Sequence, residues 1–282
     1  MFPVKIALVD SGLGLLAAAA AVRRARPDAD LVLSSDPDGM PWGPRTTGDI
    51  TARALACARA AAALSPDALI VACNTASVHA LPVLRAELEP AVPVVGTVPA
   101  VKPAAAAGGS VAVWATPATT GSPYQRRLIA DYGNGAEITE VPCHGLADAV
   151  ERADEPLIDT AVAAAARLTP AGVRAVVLGC THYELVADRI RAAVRTPGTA
   201  GPEPALYGSA AAVAAQALRR IGAEPAPAAP ATGSLAVLLG GRPAALTAPA
   251  HRYAEGRLLA AADGTTRGTA DGSGRTPAEV AE

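Results

Sequence analysis

Lysine is nearly missing from this chain: Lys5 and Lys102 are the only two in 282 residues. A pyridoxal phosphate enzyme needs a lysine amine for its Schiff base, so that large class of amino-acid chemistry has few anchors here. Cysteine is also scarce, four in all, and the spacing makes no disulfide framework. Such usage fits a reducing compartment. No apolar stretch reaches the roughly 20 residues of a membrane span, because Arg, Asp or Pro interrupts each one. The leading Met1-Phe-Pro-Val-Lys5 shows no basic region ahead of an apolar signal core, so a cytoplasmic location without a membrane partner is expected. A net formal charge of −2 with 18% charged residues gives no basic balance for nucleic acid. It suits small neutral or anionic ligands better.

What the chain does have is apolar bulk. Hydrophobic residues make up 51%, enough for the cores of one large or two ordinary domains. Short runs of Val, Ile, Leu and Ala alternate with helix-length Ala/Leu/Arg segments, the pattern of an α/β protein with parallel strands and crossover helices. Strands are expected over 5–10, 31–34, 68–72, 92–96, 111–115, 137–141, 175–178 and 235–239. Helices are expected over 13–26, 48–64, 77–88, 122–132, 146–152, 156–168, 183–195, 209–221 and 250–262. A Pro/Gly cluster at 96–103 separates two halves of about 100 residues each, an ordinary domain size. Residues 223–232 read as a semi-extended Pro/Ala linker and 240–243 as a turn. From 263 to 282 there is almost nothing to bury, and disorder is expected.

Two segments read as copies of one another. Asp67-Ala-Leu-Ile-Val-Ala-Cys73-Asn74-Thr75 and Arg174-Ala-Val-Val-Leu-Gly-Cys180-Thr181-His182 are each a buried-strand run, then a cysteine, then small polar residues opening a helix. The C-terminal end of a strand is where open α/β sheets bind ligands. A helix N-terminus favours the thiolate, the reactive form of cysteine. Either thiol alone reads equally well as a small core residue, but Asn74, Thr75, Thr181 and His182 would be unsatisfied polar groups in a core. Cys57 and Cys143, with no disulfide framework to join, are expected to be small buried hydrophobes. His182 stands two residues from Cys180, close enough in sequence to exchange its proton or to serve as a surface cap. A metal held by Cys73, His79, Cys180 and His182 matches no common zinc spacing.

Asp10-Ser11-Gly12-Leu13-Gly14 closes the first strand and opens the first helix. Asp10 can orient the first thiol, with Ser11 and the glycine amides free for a carboxylate, or the group can be a plain helix cap. The same turn carries a rival: Gly12-x-Gly14-x-x-Ala17 is a permitted dinucleotide fingerprint, with Asp36 at the distance of a ribose-binding acid, which would make the chain an NAD(P)-dependent oxidoreductase. Thr116-Pro-Ala-Thr119-Thr120-Gly-Ser122 places hydroxyls and helix-opening amides at another strand end, a setting for a carboxylate or for a cap. Asp36-Pro-Asp38-Gly-Met-Pro41-Trp42-Gly43-Pro44 is a rigid turn whose amides can hold an anion.

Taken together, Asp10-Ser11-Gly12, Pro41-Trp42-Gly43-Pro44, Cys73-Asn74-Thr75-Ala76-Ser77, Thr116-Pro-Ala-Thr119 and Gly179-Cys180-Thr181-His182-Tyr183 resemble the aspartate/glutamate racemase family, in the family's order across residues 5–222. The resemblance implies two pseudo-symmetric three-layer α/β domains with mainly parallel sheets and an active site in the cleft between them. Residues 1–97 plus 209–262 would form the first and 98–208 the second. It also implies a homodimer and racemisation of L- and D-glutamate with no cofactor or metal, supplying D-glutamate for peptidoglycan, or else racemisation or isomerisation of aspartate or another acidic metabolite. By match to the motifs, Cys73 and Cys180 would be the two proton-transfer thiols, with Asp10, Glu151 and His182 as supporting acid/base groups. Ser11, Pro41, Trp42, Gly43, Asn74, Thr75, Thr116, Thr119 and Thr181 would be the substrate contacts. Three segments depart from the family pattern. Leu15, Leu16 and Ala17 follow Gly14 where a glycine and Leu-Thr are usual; Trp42 replaces a tyrosine, placing bulk where the substrate would lie; Gly208 stands where the family tends to have aspartate.

Overall fold

The computed structural model describes residues 4–195 and 203–267. In chain order the first half runs β1 (Lys5–Asp10), α1 (Leu15–Ala25), β2 (Asp30–Ser35), α2 (Thr47–Ala62), β3 (Ala68–Val71), α3 (Asn74–His79), α4 (Leu81–Leu88) and β4 (Val94–Gly96). The second half runs α5 (Val101–Ala106), β5 (Val111–Ala115), α6 (Pro123–Tyr132), β6 (Ile138–Pro142), α7 (Leu146–Arg152), α8 (Glu155–Leu168), β7 (Ala175–Leu178), a 3₁₀ helix Thr181–Val186, α9 (Ala187–Val194) and β8 (Ala205–Tyr207). The chain then adds α10 (Ala210–Arg220), β9 (Leu235–Leu239), β10 (Arg242–Ala244), a 3₁₀ turn Ala250–Arg252 and α11 (Ala254–Arg267).

These strands form two sheets. One has the order β10-β9-β2-β1-β3-β4 and the other β6-β5-β7-β8. All pairs are parallel except the β9–β10 hairpin at the edge of the larger sheet. Strand side chains alternate between faces, and the core follows that alternation. Ile6 and Leu8 of β1 join one apolar cluster while Ala7 and Val9 join another with α2 and α4, so the larger sheet is covered on both sides. The first cluster also takes Trp114, Val176 and Leu178 from the smaller sheet. One core therefore lies between the two sheets. Helix α1 sits within it, which explains why Leu-Leu-Ala-Ala-Ala-Ala-Ala-Val is apolar on every side.

Several elements differ from the sequence expectation for local reasons. The helix expected over 77–88 starts at Asn74 and breaks at Ala80, ahead of Pro82, giving α3 and α4. This makes Cys73 the residue that opens α3. The helix expected over 183–195 begins only at Ala187, because a 3₁₀ helix opened by Cys180 runs from Thr181 to Val186. Strands β8 and β10 and helix α5 are too short to show a period, and Pro243 confines β10 to a sheet edge. The linker folds back: Ala226 N–H reaches the Ala25 carbonyl and Gly233 N–H the Pro27 carbonyl. Helix α11 continues to Arg267, inside the stretch expected to be disordered; the remainder of that stretch lies outside the described residues. Among the described residues no helix is long and apolar enough to cross a membrane.

Candidate active site

Strand β1 ends at Asp10, β3 gives way to Cys73 and β7 to Cys180, so the parallel sheets carry three reactive side chains to their C-terminal ends. They meet at a cavity of about 260 Å³. Its lining includes Asp10, Ser11, Pro41, Trp42, Gly43, Cys73, Asn74, Thr75, Thr116, Thr119, Cys180, Thr181 and His182. Glu151 does not line the cavity. Its carboxylate stands behind the imidazole, with Oε2 at 2.9 Å from His182 Nε2 and accepting the Leu13 N–H at 2.7 Å. The structure also brings in residues that sequence reasoning passed over, including Met40, Ala118, Cys143 and Asp148. Cys143 follows β6, so the strand-end rule that singled out Cys73 and Cys180 would have found it. It is buried, as expected, with its S–H directed at the Val141 carbonyl.

Each thiol has its own partner. Asp10 is fully buried; Oδ1 accepts the Ser11 N–H at 2.7 Å, whereas Oδ2 has no hydrogen-bond partner. Burial pushes its carboxyl up to about 6, against the pull of His182 and the Cys73 thiol. Burial, together with the Asp10 charge, pushes the Cys73 thiol up as well. On the other side Cys180 Sγ lies 3.9 Å from His182 Nδ1. Burial works against a charged imidazole, but Cys180, Glu151 and Asp10 together hold His182 well above its ordinary range. Burial likewise opposes the Glu151 charge, and the His182 ring and Leu13 N–H outweigh it, drawing that carboxyl down.

The glycines of the first turn have a packing role. A Cβ on Gly12 would fall 2.3 Å from Glu151 Oε2, and one on Gly14 would fall 2.3 Å from Thr181 Oγ1, 2.4 Å from Asp10 Oδ2 and 2.7 Å from His182 Nδ1. Bare backbone there lets groups from the other half press onto the turn. A dinucleotide reading needs this space for a pyrophosphate and a free acid at Asp36. Asp36 is instead committed: it accepts from Gly39 N–H at 3.1 Å, Trp42 Nε1–H at 3.0 Å and Arg53 Nη1 at 3.1 Å. The Trp42 ring is 1% exposed and packs in the core cluster of the larger sheet. Its polar edge thus faces Asp36.

Other expected groups fall into place. Asn74 Nδ2–H donates to the Gly179 carbonyl at 3.0 Å, leaving Oδ1 buried without a partner. Asp10 Oδ2 and Asn74 Oδ1 are acceptors that a ligand ammonium group can satisfy. Thr116 and Thr119 pair through their hydroxyls at 3.2 Å in a turn that precedes α6; the cap of that helix is Ser122. At Gly208 a Cβ would meet Glu184 Oε2 at 2.3 Å, and the Glu184 carboxylate accepts the Ser209 and Ala210 N–H groups opening α10. A carboxylate from Glu184 therefore occupies the space a side chain at 208 would need. His79 does not line this cavity; its Nδ1 is 3.2 Å from Thr47 Oγ1, and among the described residues no His, Cys, Asp and Glu cluster is arranged to hold a metal.

The chain and its fold are similar to known proteins. Residues 13–226 match the family model described as Asp/Glu/Hydantoin racemase. A glutamate racemase of Roseiflexus sp. (strain RS-1) is 38% identical over 192 residues, 66% of this chain and 70% of that protein. One from Herpetosiphon aurantiacus is 33% identical over 223 residues, 77% of this chain and 85% of that protein. Among solved structures, Escherichia coli glutamate racemase in complex with L-glutamate and the activator UDP-MurNAc-Ala is 26% identical with a TM-score of 0.70, covering 89% of this chain and 92% of that one. The Thermus thermophilus glutamate racemase in complex with β-chloro-D-alanine is 27% identical with a TM-score of 0.64, covering 91% and 93%.

Proposed function

This chain belongs to the Asp/Glu/Hydantoin racemase family, and we propose that it interconverts L- and D-glutamate by taking the Cα proton onto one thiol and returning a different proton from a second thiol on the opposite face, with no cofactor. The observation that carries this is the pairing of Cys73 and Cys180 at one cavity, each from a different sheet and each beside a different acid/base group. We take residues 1–97 with 209–262 and residues 98–208 as the two domains that close on the substrate.

Inverting a stereocentre through a planar carbanion needs a base on one face and an acid on the other. In one direction a thiolate takes the Cα proton: the C–H bond breaks, an S–H bond forms, and the electron pair spreads into the α-carboxylate. The opposite thiol then gives its proton to Cα and is left as thiolate. Asp10, pushed up to about 6, is a stronger base than an ordinary carboxylate and suits removal of the Cys73 proton near neutral pH. His182 serves Cys180, and Glu151 holds the imidazole without touching the substrate. Ser11, Asn74, Thr75 and Thr181 supply fixed donors and acceptors for the α-carboxylate and ammonium, while Pro41, Trp42, Gly43, Thr116 and Thr119 enclose the side chain. Such fixed dipoles in a closed site stabilise the developing charge.

The purified protein with either glutamate enantiomer in heavy water should take up deuterium at Cα and racemise it. Absence of uptake, or uptake unaffected by Cys73→Ala and Cys180→Ala, sinks the proposal. We place the enzyme in the cytoplasm as a homodimer feeding D-glutamate to peptidoglycan; sedimentation of the purified protein tests the dimer.

A further inference from the structure

The family match ends at residue 226, yet the chain beyond it returns to the catalytic neighbourhood. Helix α11 packs on α1, the helix that follows the Asp10 turn. At its start Tyr253, 6% exposed, donates its phenol O–H to the Val150 carbonyl on α7. Val150 immediately precedes Glu151. Helix α7 is seven residues long and ends at Arg152; Ala153, at φ 51°, closes its last turn with an N–H on the Val150 carbonyl, so the Tyr253 phenol is a second donor to that carbonyl and the bond there that comes from outside the α7 segment. From that turn Glu151 reaches both Leu13 N–H and His182 Nε2.

We propose that Tyr253 is a positioning residue for the racemisation, its phenol pinning α7 so that Glu151 stays on His182 and His182 stays turned toward Cys180. This rests on the racemase reading above. Deleting the hydroxyl leaves the ring to pack, so Tyr253→Phe removes the tether and little else. His182 is faced by Cys180, Glu151 and Asp10, and only the Glu151 contact is loosened.

Wild type, Tyr253→Phe, Glu151→Gln and the double variant are compared for kcat and KM in both directions, and the His182 ring is titrated by NMR. Tyr253→Phe should lower kcat about fivefold, the size of one neutral hydrogen bond, with KM held within about twofold. In the Glu151→Gln background the same change should cost less than about twofold, because the two act on one path. The His182 titration midpoint should fall in Tyr253→Phe. Multiplicative losses, an unchanged kcat, or an unmoved His182 midpoint overturn the proposal. A wild type that does not racemise glutamate refutes the parent reading instead, and the titration, which needs no turnover, still decides whether Tyr253 controls His182.

Discussion

Asn74 donates its side-chain N–H to the carbonyl of Gly179 at 3.0 Å. These residues are the neighbours of Cys73 and Cys180, so one hydrogen bond ties the two thiol-bearing strand ends together across the halves. The proposed transfer from opposite faces depends on the spacing of these two ends, since small misplacements of reacting groups are expensive in rate.

Asn74→Ala removes that tie and the unpartnered Oδ1 at once. Steady-state kinetics should show kcat/KM lower by about tenfold or more, in the range of one lost charge-assisted and one neutral hydrogen bond. Retention of full efficiency would show that the thiols are spaced by other contacts.

Gly14→Ala should abolish most activity and destabilise the fold by about 1–3 kcal/mol, because its methyl would collide with Thr181, Asp10 and His182. Gly48 offers the control. Nothing lies within 4 Å of a Cβ there, and the residue is in α2, so Gly48→Ala should stabilise by roughly 0.5–1 kcal/mol with unchanged turnover.

An acid limb is expected in kcat/KM with its midpoint near the Asp10 value of about 6. Below that pH the carboxyl holds a proton and cannot receive one from Cys73. The pH profile of Asp10→Asn should be lower throughout and should lack this limb.

The same carboxylate lowers stability. Its pKa is 3.8 in the unfolded chain and about 6 when buried, so between these values the native state keeps a proton that the unfolded state has released. Stability from this group therefore falls as pH rises from 3.8 and is lowest above about 6, a cost of roughly 3 kcal/mol. Denaturant unfolding at pH 7 should find Asp10→Asn more stable than wild type by up to about that amount, and the gain should vanish near pH 4.

Trp42→Phe strips the indole N–H from Asp36 while Arg53 and Gly39 stay in place. A loss of about 1–2 kcal/mol in stability is expected, with glutamate KM changed by no more than about threefold. A larger KM effect would mean that the indole itself, and not only aromatic bulk in the cavity wall, holds the substrate side chain.

Much of this was legible in the residues. Strands β1, β5 and β7 occupy the expected bounds because each is a run of β-branched and small apolar residues between clear breakers. The cysteine motifs and their polar companions led to the cavity for the same reason: a strand end is a local property. What stayed hidden depends on approach between distant segments. Gly12 and Gly14 resemble a nucleotide loop until Glu151 and Thr181 are seen pressed against them. Asp36 resembles a ribose acid until Trp42 and Arg53 close on it, and Glu151 carries no sign in its own segment that it stands behind His182.

Because one apolar core lies between the two sheets and α1 runs through it, neither half has a complete interior of its own. The molecule should melt in a single calorimetric transition, and the halves expressed separately should not fold.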